Sequence, residues 1–297
     1  MPRRGLGRLT GTTSLKYLVF GASGQLGGDV SVAARRQGDA VSAPSHAVCD
    51  ITDPEAVERA ISASRPGAVV NCAGWTRVDA AEDHEAEAHL VNATAAGIVA
   101  DACAAAGVRL CHISSDYIFD GAATEPIDES TPPRPRSAYG RTKLGGELAV
   151  RERCPDHLIV RSSWLFGRSG PNFVLTVLRL AAERPEVRVV ADQRGAPTWT
   201  AHLAPAVLRL IEIAPPGTYH LTNSGVTTWH GLAVAAIRNR GMDTDVVPIT
   251  TAEYPTPAAR PAYSVLDNRK WRELGEPPLP SWQSGLTSYL ANLEPRA

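Results

Sequence analysis

At 297 residues, with 43% hydrophobic and 21% charged content, the chain has room for one large domain or two modest ones, each with its own core. A formal net charge of −1 gives no global attraction to nucleic acid or a membrane surface, and no run approaches 18 consecutive apolar residues, so no membrane span is expected. Five cysteines, odd in number and without a CxxC pair, read as reduced thiols of a cytoplasmic protein, not a disulfide framework or a zinc site.

Residues 1–14, "MPRRGLGRLTGTTS", are basic and aperiodic and lack the apolar core of a secretory signal; they read as a disordered extension. "LKYLVF" (15–20) is strand-like and ends at Gly21, and the stretch to Gly38 reads as a helix. "AVSA" (40–43) is a second strand, and Asp53 before Pro54 signals the start of another helix. "GAVVNCAG" (67–74) is a third strand, 81–106 an alanine-rich helical stretch, and "VRLCHISS" (108–115) a fourth strand. A helix over 137–153 and a strand with its exit loop over 157–167 follow. Alternating helices and nearly continuous apolar strands predict an α/β fold, a doubly wound parallel sheet of Rossmann type covered on both faces. The regularity fades near residue 165 and proline-rich loops appear. Residues 15–165 are therefore expected to be mainly the doubly wound domain, and 166–297 mainly a smaller region, partly interleaved with it.

Gly21, Gly24 and Gly27, with Ser23, Gln25 and Leu26 among them, form GxxGxxG between the first strand and the first helix. Glycine permits the sharp turn and the close approach of a pyrophosphate, and the helix N-terminus attracts its charge. NAD enzymes place a carboxylate at the end of the second strand for the ribose hydroxyl. Here that end reads "VSAPSH", with Ser42, Ser45 and His46 available to a 2′-phosphate; Arg35 and Arg36 lie on the preceding helix. The pattern favours NADPH and leaves NADH open. Asp50 and Ile51 are candidates for the adenine, and Cys72, Ala73 and Gly74 for the middle of the cofactor.

Only three of the 30 basic residues are lysines, and one of them, Lys143, stands four residues after Tyr139. On a helix this pair shares a face. An ammonium near a phenol is expected to draw its pKa down from about 10 toward the working range, and a compact ammonium reaches ribose hydroxyls that an Arg fork would not. Ser115, at the end of the fourth strand, is the favoured third hydroxyl, with Ser114 as the alternative.

The ordered stretches "FGASGQLG", "CDITDPE", "VNCAGWTRVDAAE", "SSDYIFDG", "YGRTKLGGE", "RSSWLFG", "DQRGAPT" and "EYPTPAARPAYSVLD" resemble the dTDP-4-dehydrorhamnose reductase family of extended short-chain dehydrogenases/reductases. The resemblance implies NAD(P)H-dependent reduction of a dTDP-4-keto-6-deoxy sugar. It puts the catalytic set on Ser115 (more usually Thr in the family), Tyr139 and Lys143. It also implies a sugar-side role for Ser115 and Trp164, and a nucleotide-diphosphate wall of Asn172, Gln193 and Arg260. "GWTRVD" departs from the family's more usual alanine-rich stretch, and its Trp75, Thr76 and Arg77 are expected near the sugar pocket, where the choice of sugar is made. Some members are homodimers with magnesium held by glutamates, a set that does not map onto this sequence. The product is left open between rhamnose and a related antibiotic deoxysugar such as dihydrostreptose. Two rival readings are a sugar-nucleotide dehydratase or epimerase, and a non-catalytic subunit on the same fold. The first is disfavoured because Asp116 is followed by Tyr117 where dehydratases carry a second acid.

Overall fold

A computed structural model describes residues 14–293. The extension expected at 1–14 lies outside the described residues except for Ser14. Strand β1 (Lys16–Phe20) leads into α1 (Gln25–Arg36), β2 (Ala40–Ser42), α2 (Pro54–Ser64) and β3 (Ala68–Asn71). The Asp53 side chain accepts from the Glu55 amide and Pro54 opens the helix, so α2 begins where the sequence predicts.

The alanine-rich stretch is not one regular helix. It comprises α3 (Ala80–Asp83), α4 (Glu85–His89), a π-turn at Leu90–Thr94 and α5 (Ala95–Ala106), which stops at Gly107 in the left-handed region. The helical run Glu85–Ala106 reaches 22 residues at a mean hydropathy of 1.2, long and apolar enough by length and composition alone to cross a membrane, yet more than half of its apolar window is buried inside the fold, as in a core helix. Its apolar residues, among them Ala96, Val99 and Cys103, are instead spent in the core beneath the sheet.

β4 (Arg109–Ser115), α6 (Ala138–Arg153) and β5 (His157–Ser162) complete the regular alternation. The remainder comprises β6 (Leu165–Phe166), α7 (Phe173–Glu183), β7 (Glu186–Val190), β8 (Arg194–Gly195), β9 (Thr198–Trp199), α8 (Thr200–Ile213), β10 (Gly217–His220), β11 (Thr227–Thr228), α9 (Trp229–Asn239), β12 (Asp245–Ile249), α10 (Arg269–Glu273) and α11 (Trp282–Ala291).

The main sheet runs β2-β1-β3-β4-β5-β10, every pair parallel. All residues of β3 and β5 are buried, as a sheet covered on both faces requires. One face packs Leu26 and Val30 of α1 with Leu203, Val207 and Leu210 of α8; the other packs Val57 and Ile61 of α2 with Val99 of α5 and Val150 of α6. A third core joins α7, β7, α9 and α11 through Val177, Val187, Leu232, Leu286 and Tyr289. Strand order reverses at β1, which has β2 on one side and β3 on the other. The crevice beyond the carboxyl ends of β1 and β3 is thus the place where such sheets hold ligands.

Candidate active site

Gly21 leaves β1 with φ +74°, and a Cβ there would lie 2.5 Å from the Ala73 amide nitrogen. A Cβ on Gly27 would run into the Gly21 carbonyl. Only glycine lets the loop fold this tightly against the exit of β3. The Gly24 amide donates to the Gly21 carbonyl (3.0 Å), and Gly24 is the N-cap of α1. It has no side chain to cap with, and the first turn of α1 has no acid, so the amides there remain available to phosphate. The loop fits a dinucleotide. Ser23 and Gly24 are exposed in it, whereas Leu26 is buried in the core and Gln25 donates its amide to the Pro171 carbonyl (3.0 Å).

At the far end of the crevice, Asp50 accepts from the Thr52 amide (2.9 Å) and hydroxyl (2.8 Å), and the amide bond foremost holds its carboxyl below the usual range. Ile51 is buried beside it. Cys72, Ala73 and Gly74 continue β3 as a half-buried shelf. Two asparagines set that shelf. Asn71 Oδ1 accepts from the Ala73 amide (3.1 Å), while Asn92 accepts from the Trp75 amide (2.8 Å) and donates to the Trp75 carbonyl (3.1 Å) and to Thr142 Oγ1 (3.0 Å). Asn92 went unassigned in the sequence. It sits on the π-turn, whose extra residue turns it toward the shelf, and such turns often mark functional positions.

α6 is capped by Ser137, whose hydroxyl accepts from the Gly140 amide (3.1 Å), and this cap places Tyr139 and Lys143 one turn apart on the buried face. Ser115 closes β4. Its hydroxyl donates to Asp116 Oδ1 (3.0 Å), accepts from the Tyr117 amide (3.2 Å), and interacts with the Tyr139 phenol. Ser114, the alternative, is buried on the opposite face of the strand. Ser115 and Tyr139 are therefore in contact, and Lys143 follows one turn further along the same buried face of α6.

Their electrostatics differ from expectation. Burial pushes the Tyr139 phenol up to about 12, with the Ser115 hydrogen bond pulling the other way, and no downward pull from Lys143 is evident. Lys143 spends its ammonium on the Ile113 carbonyl (2.6 Å); burial lowers its own pKa to about 8 against the opposing pull of Glu147 and Cys72. The phenol is held fully protonated at neutral pH, the form a proton donor needs. Asp116, beneath Ser115, is pushed up to about 6 by burial.

A cavity of about 770 Å³ opens beside Tyr117, lined by Asp79, Gln193, Trp229, Tyr254 and Arg260. Arg260 and Gln193 thus reach it, but neither presents a free polar end. Arg260 forks onto Asp79 (2.6 and 2.7 Å), which holds that carboxyl below its ordinary range and ties the 256–262 loop to the segment after β3. Gln193 donates to Thr251 (3.0 Å) and accepts from the Trp229 indole (3.1 Å).

Asn172 does not line this cavity. Buried, it caps α7 through the Leu175 amide (3.0 Å) and donates to the Gly167 carbonyl and the Tyr289 hydroxyl (3.0 Å each), a scaffolding position instead of a wall residue. Trp164 adopts φ +47°, rare for a bulky residue, and stacks flat on Trp229 at 3.6 Å, so one ring face is already covered. Trp75 is half-buried, with the Arg77 guanidinium 4.3 Å above its ring, and Thr76 is exposed next to it.

The family model described as RmlD substrate binding domain matches residues 15–294. A curated relative from Streptomyces griseus, dTDP-4-dehydrorhamnose reductase, is 45% identical over 95% of each chain. A second, from Streptomyces antibioticus, is described as a probable dTDP-4,6-dihydroxy-2-methyloxan-3-one 4-ketoreductase; it is 43% identical over 92% of this chain and 93% of its own. Among solved structures, dTDP-4-dehydrorhamnose reductase from Bacillus anthracis in complex with NADP superposes with a TM-score of 0.92 at 36% identity, covering 95% of this chain and all of that one. By the family match, by identity over nearly the whole length and by fold, the chain belongs to the dTDP-4-dehydrorhamnose reductase family.

Proposed function

We propose that the protein reduces the C4 ketone of a dTDP-4-keto-6-deoxy sugar with NADPH, in nucleotide-sugar biosynthesis, giving dTDP-L-rhamnose or a closely related deoxysugar. The observation that carries this reading is the Ser115 hydroxyl meeting the Tyr139 phenol, on the face of α6 that also carries Lys143, with Tyr139 packed edge-on against Tyr117, which lines the 770 Å³ cavity. Residues 15–165 with α8 and β10 form the cofactor half, and the segments around α7, β7, α9, β12 and α11 the sugar-nucleotide half. A homodimeric, cytoplasmic enzyme is part of the same reading.

The bound nicotinamide supplies the hydride. The protein's residues supply the rest. Ser115, whose hydroxyl proton now rests on Asp116, turns it to the ketone oxygen and polarises the carbonyl. As the carbon is reduced, charge gathers on that oxygen, and the Tyr139 phenol donates its proton there. A sugar alkoxide is a stronger base than phenolate even when the phenol is held at about 12, so the transfer runs downhill. Lys143 places an ammonium near the resulting phenolate and the ribose, and Tyr139 regains its proton from solvent. The nucleotide supplies binding energy far from the reacting carbon, which fixes the ketone's orientation. Opening the Arg260–Asp79 pair would turn that fork toward the diphosphate.

The test is NADPH oxidation against a panel of dTDP-4-keto sugars, with the products identified by NMR. Stoichiometric NADPH consumption and a C4 alcohol support the reading. Conversion of sugar without net cofactor consumption would replace it with an epimerase or dehydratase.

A further inference from the structure

The cofactor loop leaves one question open, the reader of the adenosine ribose. A cleft of about 320 Å³ lies between α1 and the chain just after β2, lined by Ala22, Ser23, Gly28, Ser31, Arg35 and the Ala43–Ser45 segment. Gly28, Ser31 and Arg35 are spaced i, i+3, i+7, so they form one stripe of α1 facing the end of β2. The first two are small and leave the cleft open, and Ser31 spends its hydroxyl on the Gly27 carbonyl (2.8 Å). Arg35 is exposed, and a helical side chain leans toward its own N-terminus, here toward the phosphate loop. Among the described residues its guanidinium has no hydrogen-bond or ion-pair partner.

No carboxylate lines this cleft, so nothing in it would accept a ribose 2′-hydroxyl as an NAD enzyme does. Its single charge is the guanidinium, flanked by the Ser23 and Ser45 side chains. Of the groups the sequence suggests for a 2′-phosphate, Ser45 lines the cleft while Ser42 does not, and His46 lies 3.8 Å from Asp50.

We infer that Arg35, reaching across from α1, is the specificity-determining residue that selects a 2′-phosphorylated adenosine, with Ser23 and Ser45 as neutral donors. The inference rests on the dinucleotide reading of the Gly21–Gly27 loop and adds to it which cofactor the chain prefers and why. A guanidinium on a phosphomonoester makes charge-assisted, forked hydrogen bonds, worth about tenfold or more in affinity even when partly solvated.

The test uses two half-cofactors, 2′,5′-ADP and 5′-AMP, titrated calorimetrically into the wild-type protein, Arg35→Ala and Arg36→Ala. Arg36 is the neighbouring cation on α1 and does not line the cleft. The expected result is that wild type and Arg36→Ala bind 2′,5′-ADP about tenfold or more tightly than 5′-AMP, whereas Arg35→Ala binds both alike with its 5′-AMP affinity unchanged. A wild-type protein without that preference, an Arg35→Ala protein that keeps it, or an equal loss for both probes would overturn the inference. Neither probe needs the sugar. A chain that behaves as expected here yet reduces no keto sugar would sink the proposed reaction and leave Arg35 standing, and an active reductase whose Arg35→Ala variant still prefers 2′,5′-ADP would do the reverse.

Discussion

The helix that carries Tyr139 and Lys143 is fastened from below by a buried ion pair, and removing one partner should be costly. Glu147, one turn beyond Lys143, has no exposed surface, and Arg161 on β5 is 2% exposed. The fork is bidentate, Nε to Oε1 at 2.8 Å and a terminal nitrogen to Oε2 at 2.7 Å. Arg161→Met keeps most of the stem volume and removes the charge, stranding the carboxylate. Breaking such a pair from one side costs about 3–5 kcal/mol, because the remaining ion is buried without compensation. Arg151, 3.6 Å from the same carboxylate and 43% exposed, offers a second cation at lower value, which places the expected loss near the bottom of that range, at about 3 kcal/mol. Replacing both partners, Glu147→Leu with Arg161→Met, should recover most of it, since an apolar pair of similar volume is often neutral. Urea unfolding followed by tryptophan fluorescence reads both variants. A single variant within about 1 kcal/mol of wild type, or a double variant no better than the single, would show that this pair does not anchor α6.

Lys143→Arg keeps the charge but cannot fit its planar fork where a single ammonium meets the Ile113 carbonyl; turnover should fall about a hundredfold, and near-normal kcat in a folded variant would make the lysine incidental. With the Lys143 pKa depressed to about 8, the ammonium is present below that pH and lost above it. The profile of kcat/KM should therefore decline as pH rises through about 8, while the phenol, held near 12, adds no break of its own below pH 10; a flat profile to pH 10 would contradict the assignment.

The cofactor half was readable because its signals are local. Gly21 and Gly27 are required by contacts within one loop and its neighbouring strand, and Tyr139 and Lys143 meet because a helix brings i and i+4 together. Sequence spacing could not supply what depends on packing from distant segments. Asn172 and Gln193 are polar residues in a loop-rich stretch, and only the folded chain shows their amides turned onto Tyr289, Thr251 and Trp229. Arg260 pairs with a residue 181 positions away. The phenol pKa runs opposite to the local expectation because burial, a tertiary quantity, dominates it, while the Lys143 ammonium is committed to the Ile113 carbonyl. In the sequence Arg35 reads only as a residue of the helix that precedes β2. Its relevance depends on which stripe of α1 faces β2.

The central claim is that Tyr139 donates the proton that completes reduction of a sugar ketone. Single-turnover reduction of a dTDP-4-keto-6-deoxy sugar by NADPH, compared between wild type and Tyr139→Phe, tests it most directly. The substitution removes one hydroxyl from a site otherwise kept by the Tyr117 edge contact and by the buried face of α6. The account expects the reduction rate to fall by about two to four decades, with NADPH affinity within about twofold of wild type. A Tyr139→Phe enzyme that reduces the sugar at close to the wild-type rate would contradict it.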